Sequence, residues 1–136
     1  MINSLVRSGV GKIRVIDFDN VTVSSINRHA FALRKDVGKT KVGCLKEYLL
    51  QINPQLDLDL RQVFISKENV AELLSGKPDM VVDCIDDIAT KCDLLAFCSN
   101  NKLPVISSGG AGMKADPTKL QIRDISETNC KTCSSR

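Results

Sequence analysis

Apolar positions along the 136-residue chain change period repeatedly, and each change marks an element. INSLVRS at 2–8 has the spacing of the last turns of a helix, stopped by Gly9. KIRVIDF at 12–18 is rich in β-branched and apolar residues and predicts a strand ending in two carboxylates, Asp17 and Asp19. NVTVSSINRHAFALRK at 20–35 keeps no period and predicts a long functional connection. From Asp36 the pattern turns helical, with Val37, Lys41, Cys44, Leu45, Tyr48, Leu49 and Ile52 on one face, until Asn53-Pro54 stops it.

LDLDLRQVF at 56–64 alternates like a strand. Ser66 is the expected N-cap of a short helix, KENVAELLSG, closed by Gly76 and Pro78. DMVVDC at 79–84 predicts a strand covered on both sides. IATKCDLLAFCSNN predicts a helix with Ile88, Cys92, Leu95, Ala96 and Ser99 inward. LPVISS at 103–108 and LQIRDI at 120–125 predict two further strands, the first followed by the glycines of GGAG at 109–112.

Strands alternating with helices imply an α/β fold, a Rossmann-like and mostly parallel sheet with helices on both faces. Composition agrees. Apolar residues are 43% and charged residues 26%, aromatics only 4% and Trp absent, so the core is built from Val, Ile, Leu and Ala. The length suits one domain with a moderate core, residues 1–126, and a polar tail, 127–136. A net charge of +3, with 19 basic and 16 acidic residues interspersed, permits but does not indicate nucleic-acid binding. No apolar run reaches the roughly 20 residues of a membrane span, and MINSLVRSGVGK is too polar for a secretory signal. A cytosolic or membrane-peripheral location is the expectation. Cys44, Cys84, Cys92 and Cys98 sit inside regular elements and are expected to be free thiols acting as small hydrophobes, as in a reducing compartment.

In such sheets ligands bind beyond the carboxyl ends of the strands, where three clusters fall. The first is Asp17 with Asp19, the second Asp83, Asp86 and Asp87, the third Ser107, Ser108, Gly109 and Gly110. A carboxylate only accepts hydrogen bonds and a ribose offers donors, so Asp17 suits a sugar; a loop cap is the other reading. Asp86 suits a cation bridging phosphates or a helix cap, and for Asp87 capping is the better reading. Arg28, in the irregular connection, and Lys41, near the next helix start, suit the outer phosphates of a nucleotide, one as a fork and the other as a point charge; either alone reads as a solvated cation. His29, the single histidine, lacks a partner for nucleophilic or metal chemistry, and a surface or capping role is expected. Gly109, Gly110 and Gly112 allow close approach of backbone to a ligand or a plain turn. Cys130 and Cys133 form one CxxC without the second pair of a zinc site or the strand-to-helix context of a redox motif.

Taken together, VIDFDNVTVSSINRHAF, VGKTKV and DMVVDCIDD resemble the strand with its acid pair and asparagine-arginine signature, the lysine motif and the magnesium-proximal aspartate motif of the adenylating, ThiF-type superfamily. That superfamily includes the ubiquitin-activating enzymes and the activators of bacterial sulfur carriers. The resemblance runs from about residue 5 to about residue 126. The run SSGGAGMKADPTKLQIRDIS, with NRHAFALRKDVG, is most similar to the tRNA threonylcarbamoyladenosine dehydratases, which use ATP to cyclise a threonylcarbamoyl group on a tRNA adenosine.

The resemblance implies ATP and Mg²⁺ as cofactors and tRNA as partner, with a homodimer or pairing with a full-length relative. It implies ribose binding by Asp17 beside Asp19, phosphate contacts from Asn27 and Arg28, charge stabilisation by Lys41, and Mg²⁺ at Asp86. Arg28, Lys41 and Asp86 would then be the catalytic set. The family's first strand and glycine-rich phosphate loop belong before residue 1, and its further structure after RDISE, so a chain shortened at both ends and weakly active or inactive alone is expected. A cytoplasmic location, or one peripheral to the mitochondrial outer membrane, follows from the same likeness. The competing expectations are a ubiquitin-like or sulfur-carrier activator, a dinucleotide-dependent oxidoreductase that needs only the ribose acid, and a non-catalytic dimerisation module.

Overall fold

The computed structural model of the chain describes residues 1–109, 116, 118 and 121–127. Helix α1, Ile2–Arg7, closes as a Schellman turn: the Gly9 N–H donates to Val6 O and the Val10 N–H to Leu5 O, with Gly9 at φ 93. Strand β1, Lys12–Ile16, follows, then a connection containing two short 3₁₀ turns at Val23–Ser25 and Arg34–Asp36. Helix α2, Lys41–Ile52, leads back to β2, Asp57–Arg61, which lies parallel to β1 in the register Lys12↔Asp57 to Ile16↔Arg61. The second half repeats the scheme with α3, Val70–Leu73, β3, Val81–Asp83, α4, Ile88–Asn100, and β4, Val105–Ser107, parallel to β3.

The fold is the expected Rossmann-like α/β type with parallel strands joined by helices. Its hydrogen-bonded strands form two two-stranded sheets, β1-β2 and β3-β4, where one continuous sheet was expected. Among the described residues no strand bridges β1 to β3. Each pair therefore carries its own core. Val6, Leu45, Leu49 and Leu56 gather Ile13, Val15 and Leu58 in the first half; Val70, Val81, Leu94 and Cys98 gather Ile65, Leu103 and Val105 in the second. Arg14 joins the halves. Its Nε donates to Asp59 Oδ2 at 2.7 Å, and its Nη1 donates to Leu73 O and Ser75 O at 2.8 Å, satisfying carbonyls at the end of α3.

Several boundaries differ from the sequence expectation. Helix α2 begins at Lys41, not Asp36, because the Thr40 hydroxyl accepts the Gly43 N–H and caps it. Asp36 instead sits buried in the preceding turn, accepting from the Leu33 N–H and Lys39 Nζ. Helix α3 is one turn long; Asn69 accepts from the Ser66 N–H and donates to Phe64 O, so Ser66 opens a turn and does not cap the helix directly. On α4 the inward positions are Thr90, Leu94 and Cys98, while Ile88 is 72% exposed. Apolar residues occur all round this helix, so periodicity alone selected the wrong stripe. Cys44 and Cys98 are buried thiols as expected, but Cys84 and Cys92 are exposed; all four are free.

LQIRDI does not form a strand over 121–125. Ile122 lies fully in solvent and Asp124 accepts from the Ser126 N–H, starting the 3₁₀ turn Ile125–Glu127. Gly110, Gly112, Leu120, Cys130, Cys133 and nearly all of the 127–136 tail lie outside the described residues.

Leu49 is completely buried at the centre of the first core. Leu49→Ala is expected to cost about 2–5 kcal/mol in a urea melt, whereas Ile88→Ala on the outer face of α4 should shift it by less than about 0.5 kcal/mol. A large loss for Ile88→Ala would mean that the helix packs by the face the periodicity suggested.

Candidate functional site

The carboxyl end of β1 is stitched to the start of α2. The Lys41 N–H donates to Asp19 O at 3.0 Å, Asn20 and Thr40 form an antiparallel bridge, and the Val21 N–H donates to Lys39 O at 2.8 Å. Gly38, at φ 92, returns its N–H to Val21 O at 2.9 Å. This ladder closes the loop 22–37 and fixes what its two ends carry. Lys41 Nζ pairs with Asp19 Oδ2 at 2.5 Å, the lysine side chain only 12% exposed. Asp17 extends the β ladder through its N–H to Arg61 O, and its Oδ1 accepts the Asp19 N–H at 2.8 Å. The capping reading of Asp17 therefore holds for one oxygen; the other has no partner among the described residues.

Within the closed loop, Thr22 and Ser25 exchange side-chain and backbone hydrogen bonds, and the Arg28 and His29 N–H groups both donate to Ser25 O. Arg28 Nη1 is held by Ser24 O, with Asn27 Oδ1 at 3.5 Å. His29, for which a surface or capping role was expected, is half-buried. Its ring packs 5.2 Å from Phe31, and its Nε2 is buried without a hydrogen-bond partner among the described residues. Burial first, then the Lys41 and Arg28 charges, push the imidazole below its usual pKa, against a smaller upward pull from Asp17 and Asp19.

The second rim, beyond β3 and β4, is organised by a residue that sequence reasoning overlooked. Lys91 Nζ reaches Asp83 Oδ2, Ser107 Oγ at 3.2 Å and Ser108 O at 3.1 Å, and Ser107 Oγ donates to Asp83 Oδ2 at 2.6 Å. Asp83 is fully buried, and its Oδ1 accepts the Ile85 N–H. Burial raises the Asp83 carboxyl, but Lys91, Ser107 and the Ile85 N–H more than offset it and hold the group below the ordinary range. One signal was available: Lys91 lies one turn beyond the N-cap Asp87, so a long cation at that position can lean back over the strand end.

Asp87 caps α4 by accepting the Thr90 N–H, as expected. Asp86 is exposed in the β3–α4 turn, and no hydrogen bond or ion pair joins it to the β1-rim cluster among the described residues. The structure thus joins Asp17, Asp19 and Lys41 by hydrogen bonds, holds Arg28 in the connection on Ser24 O with Asn27 exposed beside it, and sets Asp86 in the turn after β3. No three His, Cys, Asp or Glu side chains among the described residues converge as a metal cage.

These parallel strands with polar groups at their carboxyl rims define a Rossmann-like α/β protein. The ThiF family pattern matches residues 1–136, and the chain belongs to that family. It is 48% identical over 130 residues to tRNA threonylcarbamoyladenosine dehydratase 2 of Saccharomyces cerevisiae, covering 94% of this chain and 29% of the relative. It is 41% identical to the Haemophilus influenzae tRNA threonylcarbamoyladenosine dehydratase, covering 94% of this chain and 49% of that protein. The structure of the Escherichia coli tRNA N6-threonylcarbamoyladenosine dehydratase, TcdA, in complex with ATP superposes with a TM-score of 0.88 at 39% identity, over 93% of this chain and 52% of that one. The chain spans half or less of the length of these curated relatives.

Removing Lys91 would leave Asp83 buried without its cation, so Lys91→Met is expected to destabilise the chain by about 3–5 kcal/mol at neutral pH. The folded carboxyl lies below its unfolded value, so its contribution is complete above about pH 3.9 and is lost as pH falls through the folded value. Urea melts at pH 7 and at pH 3 should show the gap between wild type and Lys91→Met narrowing in acid; a constant gap would contradict the pairing.

Proposed function

We propose that this chain is the nucleotide-gripping part of an ATP-dependent tRNA threonylcarbamoyladenosine dehydratase, acting on a tRNA-borne carboxylate. The observation that carries it is the end of β1: Asp17, a ribose-competent acid with one oxygen unpartnered among the described residues, is bonded to Asp19, which holds Lys41, and the connection that follows carries Arg28. A pure dinucleotide site has no need of those two cations. The ATP complex of the Escherichia coli relative supports the same reading.

In this proposal a carboxylate oxygen attacks the α-phosphorus of ATP, a P–O bond forms, and pyrophosphate leaves with the bridging oxygen. Little acid–base help is required; the demand is for fixed positive charge on the leaving group. Lys41, preset by Asp19, and Arg28, held on Ser24 O, meet that demand without reorganising, and Asn27 stands next to Arg28 as a neutral donor. Asp17 holds the ribose. The single carboxylate of Asp86 fits a Mg²⁺ that arrives on the phosphates and takes one ligand from the protein, which is how that ion commonly binds. With half or less of its relatives' length, the 136-residue chain is expected to turn over weakly or not at all alone.

Among the described residues no helix is long and apolar enough to cross a membrane. A cytoplasmic site of action, or one peripheral to the mitochondrial outer membrane, fits the proposed tRNA chemistry. A pairing role has its own support: Val82 on β3 lies in register with Ile106 on β4 and both are exposed, an apolar spot suited to cover by a second copy or a full-length relative.

Calorimetric titration with ATP and Mg²⁺ tests the nucleotide reading. ATP is expected to bind more tightly than NADH, and Asp17→Ala or Lys41→Ala should weaken it roughly ten- to hundredfold, the worth of hydrogen bonds to charged groups. NADH binding as well as ATP would refute the assignment. Sedimentation of the isolated chain should show self-association that Ile106→Asp abolishes; a stable monomer at all concentrations would remove the pairing role.

A further inference from the structure

Residues 84–87 join β3 to α4 and are pinned at both ends. At the strand end, Asp83 Oδ1 accepts the Ile85 N–H at 2.9 Å, and the Ile85 side chain packs against the core of Val70, Val81, Leu94 and Cys98. At the helix end, Asp87 Oδ2 accepts the Thr90 N–H and the Thr90 hydroxyl, both at 2.8 Å. Asp86 lies between these anchors. Its side chain is exposed and has no hydrogen-bond partner among the described residues. Pinning the residues on either side fixes where this carboxylate stands without using its lone pairs.

The first anchor is only as firm as Asp83, which is held from several directions. Lys91 Nζ, reaching back from α4, pairs with Asp83 Oδ2, and Ser107 Oγ on β4 donates to the same oxygen at 2.6 Å. Asp83 O accepts the Ser108 N–H at 2.9 Å, and Lys91 Nζ also bonds Ser108 O at 3.1 Å. An ion pair this deep is a poor route to stability alone, since apolar side chains of similar volume avoid the cost of desolvating two charges. What the carboxylate adds is direction. With one oxygen taken by Lys91 and Ser107, the other is aimed at the Ile85 N–H and selects one path for the turn. An apolar pair would fill the space but leave that N–H unanswered.

We propose that Asp83, Lys91 and Ser107 are positioning residues for Asp86: they set the path of the β3–α4 turn so that the Asp86 carboxylate is presented to a divalent cation arriving on a nucleotide. The proposal rests on the nucleotide reading above and adds to it residues that act without touching the nucleotide or the cation. Lys91 and Ser107 act through Asp83, and Asp83 acts through the Ile85 N–H. Groups that orient a metal-binding carboxylate in this way weigh on metal affinity although they are not ligands.

Two measurements test it. In the metal-free chain, amide hydrogen exchange at Ile85 is expected to quicken roughly two- to tenfold in Ser107→Ala and Lys91→Arg, the worth of about one hydrogen bond. The Thr90 N–H, bonded to Asp87, should stay as slow as in the wild type. In calorimetry, the quantity to follow is the ratio of ATP affinity in Mg²⁺ to that in EDTA. Asp86→Asn should remove most of the gain from Mg²⁺, and Ser107→Ala and Lys91→Arg should lower it roughly three- to tenfold. Adding Ser107→Ala to Asp86→Asn should lower it no further. Ser107→Ala keeps the ion pair, so the test stands even where Lys91→Arg does not fold. An unchanged ratio and unchanged Ile85 exchange in Ser107→Ala, or a loss of the same size in the Asp86→Asn background, would overturn this inference alone. Full retention of the gain by Asp86→Asn would overturn it together with the placing of Mg²⁺ at Asp86. Failure of ATP to bind at all would overturn both it and the nucleotide reading.

Discussion

The candidate site depends on the seam that closes the loop 22–37. Asp19, Asn20 and Val21 on one side meet Gly38 to Lys41 on the other through three backbone hydrogen bonds, two of which flank the Asn20–Thr40 bridge, and the Asp19–Lys41 ion pair. Without that seam the connection after β1 would be a long open excursion, costly in conformational entropy and unable to hold Arg28 in one place. With it, the strand end, the loop residues Arg28 and His29, and the first residue of α2 become one rigid rim. The ion pair has a double role. It strengthens the seam, and it fixes the lysine where incoming negative charge is to be met.

Each half of the molecule solves a similar problem with different groups. At the β1 rim the lysine is the helix's first residue and its acid is partly exposed, so the pair remains open to a ligand. At the β3 rim the acid, Asp83, is fully buried and the lysine is spent on three acceptors, so the same residue types serve as a rivet between β3, β4 and α4. Burial decides which arrangement is structural. A carboxylate withdrawn from water must be fully paired, whereas one at a crevice mouth keeps lone pairs for a substrate.

Arg14 performs the corresponding task between halves. Two parallel strand pairs with separate cores have little apolar surface in common, and a guanidinium that bonds Asp59 on one side and two terminal carbonyls of the α3 turn on the other supplies directional contact where hydrophobic burial does not. The halves of the chain therefore meet through a polar clasp.

Much of this was legible in the residues themselves. The strand-and-helix alternation, the Gly9 and Asn53-Pro54 stops, the Asp87 cap and the acids at strand ends follow from local sterics and hydrogen bonding, which act over a few positions and leave their mark in the order of residues. The start of α2 was misplaced because Asp36 and Thr40 are both good caps, and only the seam with residues 19–21 decides between them. The inward stripe of α4 was misplaced because an all-round apolar helix has no face until a neighbour chooses one. Lys91 on Asp83, Arg14 on α3 and the unsatisfied nitrogen of His29 depend on residues brought together from distant positions or on burial, and only the tertiary structure creates those distances.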